Sequence, residues 1–170
     1  MSRHGEPDLY IPSTGASAAG GRSLQRILVP VGSIGRADGA LELAARFSAD
    51  VDGQLRLVHV RAWDPPLPGG AGRFFWETSE QATEVLDKAL TTVWAYGVPA
   101  SGVIVDSVRN RVARAVADEA RSWGASIMVV ARRPRTAIGI VLLGSLSDQL
   151  MREAGCPVLI MQQGRRNVRR

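Results

Sequence analysis

The sequence predicts an α/β fold in which a five-stranded parallel sheet carries helices on both faces. Five short, continuous apolar runs are typical of strands that are covered on both sides. Between these runs, apolar residues recur at spacings of three and four, as they do in amphipathic helices. Because the two patterns alternate along the chain, helical crossovers must join the strands, which places the strands parallel in one sheet.

Each predicted element has its own local signal. The first strand is the run ILVPV at residues 27–31, and the turn after it contains Asp38, a suitable helix start. The apolar period of the first helix, which extends to about residue 49, comprises Leu41, Ala44, Ala45 and Ser48. The later strands are predicted at residues 55–60, 103–105, 126–131 and 157–161, and the later helices at residues 82–94, 112–120 and 145–153.

The 170-residue chain divides into three parts by composition. Residues 1–23 contain Gly, Ser, Pro and Ala without an apolar period, which predicts an irregular N-terminal extension. Residues 24–163 hold all the predicted elements and form one domain. Residues 164–170 form a basic tail with four arginines, and without these the chain has 17 basic and 16 acidic residues. The tail could contact nucleic acid, an acidic partner or anionic lipid, but a solvated end is favoured and nucleic-acid binding is not predicted.

The number of cysteines and the hydropathy of the chain indicate the cellular compartment of the protein. Cys156 is the only cysteine, which excludes a disulfide framework and a cysteine-based zinc site. The N-terminus has no apolar segment of the kind found in secretion signals, and no run reaches the roughly 18 apolar residues of a membrane span. The sequence therefore predicts a cytoplasmic protein with no metal-ligand cluster and no membrane span.

The positions of the two histidines argue against a serine hydrolase. His59 lies inside the second predicted strand and His4 in the N-terminal extension, so neither is placed to activate a serine. Ser33 is interpreted as part of the turn after the first strand. We therefore predict no catalytic residues and no enzymatic activity, and we expect His59 to be a hydrogen-bonded core residue.

Residues 125–161 have the form of a phosphate-binding element. A buried strand leads through a basic loop to a turn at Gly144 and Ser145, where a helix begins. The free N–H groups and the dipole at such a helix start favour an anion. Ser145 also has a structural interpretation as a helix N-cap, because Asp148 three residues later completes a capping-box-like arrangement.

Five segments of the chain together resemble the universal stress protein family. They are RILVPV in the first strand, LVHV in the second, GASIMVV before the basic loop, LLGSLSDQL after it, and GCPVLIM at the end, and they spread over residues 26–162. The resemblance implies a Rossmann-like fold of the adenine nucleotide α hydrolase-like type and a stress-linked regulatory protein that forms a homodimer. Many members of this family bind ATP, and one branch does not.

The resemblance also implies where a nucleotide would bind. The family's glycine motif is intact at its end, in Gly144 and Ser145, whereas Ala131 and Pro134 stand at its two earlier glycine positions. Gly32 replaces an aspartate that helps to hold the nucleotide at the end of the first strand. The implied nucleotide-binding residues are Pro30, Val31, Gly32, Ser33, Val60, Val130, Ala131, Arg132, Arg133, Arg135, Gly144, Ser145 and Leu146.

These departures from the family motif lead to two functional hypotheses. The first is a cytoplasmic, dimeric regulatory or partner-binding module in which ATP binding is weakened or lost. The alternative is an ATP-binding sensor of the same family, with slow ATP hydrolysis, in which arginines 132, 133 and 135 replace the missing contacts as phosphate clamps. ATP with Mg²⁺ is the cofactor that the second hypothesis requires.

Two further surfaces are candidates for partner contacts. The last strand should lie at a sheet edge, and an unpaired apolar edge needs a cover. Family members pair this strand with its copy in a second subunit, which implies an interface of Pro157, Val158, Leu159, Ile160 and Met161. The loop at residues 61–76 carries four aromatic residues, namely Trp63, Phe74, Phe75 and Trp76. These residues either form a lid or protein-partner surface, or they fold back on the sheet edge or the second helix.

Overall fold

A computed structural model describes residues 24–32, 38–132 and 146–162. Within these ranges the fold is of the mixed α/β class, with a central sheet of mostly parallel strands, so the predicted fold class is confirmed. The predicted N-terminal extension and basic tail lie outside the described residues. So do several predicted site residues and motif positions, namely Ser33, Arg133, Pro134, Arg135, Gly144 and Ser145.

The described residues contain six strands and four α-helices in the predicted alternation. The strands are β1 (Arg26–Val31), β2 (Gln54–Asp64), β3 (Phe74–Phe75), β4 (Ala100–Val108), β5 (Ile127–Arg132) and β6 (Val158–Gln162). The helices are α1 (Asp38–Asp50), α2 (Ser79–Trp94), α3 (Val112–Trp123) and α4 (Leu146–Glu153), and a 3₁₀ turn at Arg109–Arg111 precedes α3.

The five long strands are parallel and stand in the order β4-β2-β1-β5-β6. The chain winds outward from β1 through β2 to β4, and it then returns across β1 to β5. The short β3 is antiparallel and is joined to the end of β2 by the pairs Trp63–Phe75 and Asp64–Phe74. The winding direction therefore reverses between β1 and β5, and sheets of this kind bind ligands beyond the carboxyl ends of the strands at such a reversal.

Helices cover both faces of the sheet, which explains the continuous apolar runs in the sequence. In β1, Ile27 and Val29 pack in the core beneath α1 and α2, whereas Leu28 packs in the core beneath α3 and α4. All three side chains are fully buried. The apolar period predicted for α1 is confirmed, because its members are all buried: Leu41, Ala44, Ala45 and Ser48.

Local sequence signals set the ends of two helices. α2 begins in a capping box, in which the Thr78 hydroxyl accepts the Gln81 N–H at 3.2 Å and the Gln81 side chain accepts the Thr78 N–H at 2.8 Å. α3 ends at Gly124, whose φ of 72° lies in the left-handed region that glycine adopts without strain. This turn leads the chain from α3 directly into β5.

Two strands are longer than predicted, because β4 extends three residues beyond the predicted 103–105 at each end and β2 continues past its predicted end. This strand continues to Asp64, beyond the predicted end at residue 60, so the first part of the predicted loop belongs to the sheet. β4 pairs with β2 as far as Trp63 and Val108, and β3 pairs with its last residues. A cross-strand ion pair between Arg61 and Asp106, with Nη2 and Oδ2 2.7 Å apart, stabilises this polar extension, which has no apolar alternation to reveal it.

Candidate functional site

The ladder between β1 and β5 ends early, and the position of Pro30 explains why. Arg26 faces β5, because its N–H donates to Ser126 Oγ at 3.0 Å and its carbonyl accepts the Ser126 N–H at 2.8 Å. Alternate residues of a parallel strand face the same neighbour, so Pro30 also faces β5, and proline has no N–H to donate. The ladder between the two strands comprises Ile27–Ile127 and Leu28–Met128. The strands therefore part before their carboxyl ends, at the reversal of the winding.

The predicted site residues on these strands line the rim of the sheet from both faces. Val31 is buried, and it packs with the half-buried Ala131 in the core beneath α1 and α2. Val60 and Val130 both contribute to the core beneath α3 and α4. Gly32 follows β1 directly and is half-buried. The fold thus places the ends of β1 and β5 on one rim, side by side.

The first residue of α4 is also near this rim. Leu146 is half-buried and packs against the core beneath α3 and α4, the same core that contains Val60 and Val130. Asp148 lies in the first turn of α4. The N-terminus of α4 therefore lies on the α3 and α4 face of the sheet, and the basic loop that precedes it lies outside the described residues.

β6 forms one edge of the sheet. In the described part of the chain it pairs with β5 alone, from Met128–Val158 to Arg132–Gln162. The residues of the predicted dimer interface are exposed in part: Pro157 and Leu159 are exposed, and Val158, Ile160 and Met161 are half-buried. An apolar edge strand with free backbone groups is a suitable surface for strand pairing.

His59 is a buried, hydrogen-bonded residue of β2, and the prediction for it is confirmed. The side chain is held between the Val31 carbonyl oxygen, 3.0 Å from Nδ1, and Glu77 Oε1, 2.7 Å from Nε2. The sequence analysis missed Glu77 as the partner. A histidine inside an apolar strand indicates a polar partner, because buried polar groups are hydrogen-bonded. The positions of the acidic residues in the sequence do not identify which of them is that partner.

A surface of aromatic and arginine side chains occupies the region of the predicted aromatic loop. Arg61 stacks on Phe75 with its guanidinium carbon 4.3 Å from the ring centre, and both of its hydrogen bonds to Asp106 are 2.7 Å long. Arg109 lies 5.0 Å from the ring centre of Trp76. We call this region the aromatic–arginine surface, and its members are Arg61, Trp63, Arg73, Phe74, Phe75, Trp76 and Arg109.

The aromatic residues fold back on the end of β2, yet they are not fully covered. Phe75 pairs with Trp63 in the sheet, and Trp76 donates its indole N–H to Asp64 at 3.1 Å. Phe74 remains 64% exposed and Trp76 58% exposed. The structure thus combines the two predicted alternatives, since the loop packs on the sheet edge and still presents an aromatic surface.

Two of the three arginines of this surface, Arg61 and Arg109, are paired with carboxylates. Hydrogen bonding to Asp106 raises the pKa of Arg61 above its ordinary value, although partial burial opposes this effect. A hydrogen bond with the Thr78 side chain lowers the pKa of the exposed Glu80 carboxyl. Arg109 also bonds Asp64, with Nε and Oδ1 3.1 Å apart. The surface therefore carries nearly balanced charge.

Two further properties concern only the described residues. They contain no group of three or more His, Cys, Asp or Glu side chains that is arranged to hold a metal ion. No helix among them combines the length and the apolar character needed to cross a membrane.

The sheet topology defines a class, the doubly wound α/β proteins, in which ligands generally bind beyond the carboxyl ends of the strands. Comparison with known proteins narrows this class. The model of the universal stress protein family matches residues 23–162, and the chain therefore belongs to that family.

Curated relatives and solved structures are consistent with this assignment. The chain is 32% identical over 109 residues to a universal stress protein of Thermus aquaticus, covering 63% of this chain and 77% of the relative. It is 31% identical over 142 residues to one of Mycolicibacterium smegmatis, covering 79% of this chain but only 47% of that relative, about half its length. A universal stress protein of Archaeoglobus fulgidus in complex with dAMP has a similar fold, with a TM-score of 0.59, 20% identity, and coverage of 81% and 98% of the two chains.

Proposed function

We propose that this chain is a cytoplasmic, non-enzymatic regulatory or partner-binding module of its family, in which ATP binding is weakened or lost. One observation carries the proposal. The rim residues at the ends of β1 and β5 are Gly32 and Ala131, where the family pattern has an aspartate and a glycine. The rim therefore lacks a carboxylate at Gly32 and has a methyl group at Ala131 where the ligand needs close backbone approach.

The expected loss of affinity is large enough to matter. Losing the carboxylate contact at Gly32 and the N–H donor at Pro134 costs on the order of 1–3 kcal/mol each. Every 1.4 kcal/mol is about a tenfold change in Kd, so the two losses together move a micromolar site toward millimolar.

The alternative function is a nucleotide sensor of the same family, with slow ATP hydrolysis. Two observations favour it: the motif is intact at Gly144 and Ser145, and a relative of similar fold was solved with dAMP. In this alternative, Arg132, Arg133 and Arg135 hold the phosphates that the altered residues no longer hold. Mg²⁺-ATP is then the cofactor, and the remaining proposed site residues are Pro30, Val31, Gly32, Ser33, Val60, Val130, Ala131, Gly144, Ser145 and Leu146.

Thermal unfolding with and without Mg-ATP separates the two functions. A sensor saturated at 100 times its Kd gains about 2.7 kcal/mol, which raises the Tm of a chain of this size by roughly 5–10 °C. The double variant Ser145→Ala, Arg133→Ala should abolish that rise, whereas Arg46→Ala, which replaces an exposed arginine in the second half of α1, should retain it. The proposed module instead shifts by about 1 °C or less at 1 mM Mg-ATP. A clear rise that depends on Ser145 and Arg133 would contradict weakened binding.

We also propose that two copies of the chain pair through β6 to form a homodimer. The exposed apolar edge at Pro157 and Leu159 supports this, because strand pairing satisfies the free backbone groups and buries the apolar side chains. Leu159→Glu should convert a light-scattering mass of two chains to one. Leu67→Glu is the matched control, because Leu67 is 84% exposed and lies far from β6 in the sheet order. A parent chain that is monomeric at micromolar concentration would exclude this interface.

A further inference from the structure

His59 has a hydrogen-bond acceptor on each ring nitrogen. The Val31 carbonyl oxygen lies 3.0 Å from Nδ1, and Glu77 Oε1 lies 2.7 Å from Nε2. A carbonyl and an ionised carboxylate only accept hydrogen bonds, whereas a neutral imidazole carries one N–H. Both hydrogen bonds exist together only when a proton lies between each ring nitrogen and its acceptor. The site must therefore hold one proton more than a neutral imidazole beside an ionised carboxylate. This count follows from the geometry alone.

The surrounding charges indicate where the extra proton resides. Arg61, the next residue of β2 on the same side, attracts the Glu77 carboxylate and favours its ionised form. Asp106 of β4 balances the charge of Arg61, and Glu80 in the first turn of α2 adds a negative charge nearby. The Val31 carbonyl oxygen of β1 only accepts hydrogen bonds, so it favours a proton on Nδ1 of His59. When the extra proton is bound, these charges favour its position on Nε2 of His59 over its position on the Glu77 carboxylate.

We propose that this proton is a pH-dependent latch that holds the segment before α2 against the end of β1. Glu77 lies between Trp76 and Thr78, the N-cap of α2. When the second ring proton leaves, one of the two hydrogen bonds must break. Val31 is buried and its carbonyl keeps the remaining N–H, whereas the Glu77 side chain is 17% exposed and can turn to water. The latch is closed with the proton bound and open without it.

The latch couples two regions that are far apart in sequence. At one end is Val31, the last residue of β1, which precedes Gly32 at the carboxyl rim of the sheet. At the other end is Trp76, whose N–H donates to the Ala62 carbonyl at 3.1 Å and so holds the aromatic–arginine surface on β2. Opening the latch removes one of the contacts that hold the Trp76–Thr78 segment and so loosens it, and this consequence is independent of any nucleotide.

Nuclear magnetic resonance of the full chain tests the latch. The chain has two histidines, so the variant His4→Ala leaves His59 as the only imidazole. Long-range ¹H–¹⁵N spectra between pH 5 and 9 should show protons on both ring nitrogens at the acidic end and on Nδ1 alone at the alkaline end. Over the same pH interval, hydrogen-exchange protection of the Trp76 amide, corrected for the intrinsic rate, should fall by roughly tenfold.

Two matched variants give the test its control. In Glu77→Gln the amide can donate to a neutral ring, so the ring should hold one proton at neutral pH and Trp76 protection should not vary with pH. Glu84→Gln removes a carboxylate further along the chain, in α2, where Glu84 pairs with Lys88, and it should behave as the parent. A ring with one proton throughout, Trp76 protection independent of pH in the parent, or equal effects of the two variants would each overturn the latch.

Discussion

Ser48 and Ser147 are both buried in helices, and they differ in whether the hydroxyl has a partner. Ser48 of α1 is fully buried, and within the described residues its Oγ has no hydrogen-bond partner. Ser147 of α4 is 2% exposed and does have an interaction partner. A buried hydroxyl without a hydrogen bond retains the cost of its lost hydration.

We expect Ser48→Ala to stabilise the protein. Alanine removes the unpaired hydroxyl and is the better helix former, and together these effects should raise the free energy of unfolding by about 1 kcal/mol. Urea denaturation measures this change. Ser147→Ala is the matched control and should lower the free energy of unfolding, because Ser147 has an interaction partner. A destabilised Ser48→Ala variant would show that the hydroxyl has a partner in the folded protein.

The reactivity of the Cys156 thiol tests whether this side chain is buried. Burial raises the pKa of its thiol, because the charged thiolate is disfavoured away from water. The folded state therefore loses stability relative to the unfolded state as pH rises past the ordinary thiol pKa and through the raised one. We expect alkylation of the folded chain by iodoacetamide at pH 8 to be slower than alkylation of the chain in denaturant. Equal rates would contradict the burial of this thiol.

At the scale of elements, Gly102 sets the distance between β4 and α2. A Cβ at this position would lie 2.9 Å from three side-chain carbons of Leu86, Cγ and both Cδ atoms. Leu86 is a core residue of α2 and is nearly fully buried. A branched, enclosed side chain cannot move aside, so any residue larger than glycine must displace the helix.

We therefore expect Gly102→Ala to lower the free energy of unfolding by about 1–3 kcal/mol, the usual cost of overpacking a core. Gly39→Ala is a matched comparison, because a Cβ there would lie 2.7 Å from Met161 Cε, the mobile end of a flexible side chain. That variant should be close to neutral in thermal unfolding. Equal losses of unfolding free energy in the two variants would mean that Leu86 does not limit the space at Gly102.

Most elements could be predicted because their signals are local. The α1 period at Leu41 and Ala44 and the apolar run of β1 depend on neighbours a few residues away, and both are confirmed. The end of β2 could not be predicted in this way. Arg61 and Asp64 become part of a strand because β3 and β4, from later in the chain, supply their hydrogen-bond partners.

At the scale of the whole molecule, strand alternation and the rule for crossovers were enough to bring the ends of β1 and β5 to one rim. The pairing of His59 with Glu77 was not predictable, since Glu80 and Glu84 follow closely in sequence and only the fold selects among the three. The aromatic–arginine surface likewise depends on Arg109, which β4 delivers from 33 residues after Trp76.

The most direct test of the weakened nucleotide site is calorimetric titration of Mg-ATP into the parent chain and into the variant Gly32→Asp, Ala131→Gly, Pro134→Gly. Circular dichroism should first confirm that the variant keeps the parent fold. Restoring the family pattern should tighten binding by at least about tenfold, from a millimolar or undetectable Kd in the parent, because each restored contact contributes on the order of 1–3 kcal/mol. A parent chain that binds Mg-ATP at micromolar Kd, with no gain in the variant, would contradict the proposal.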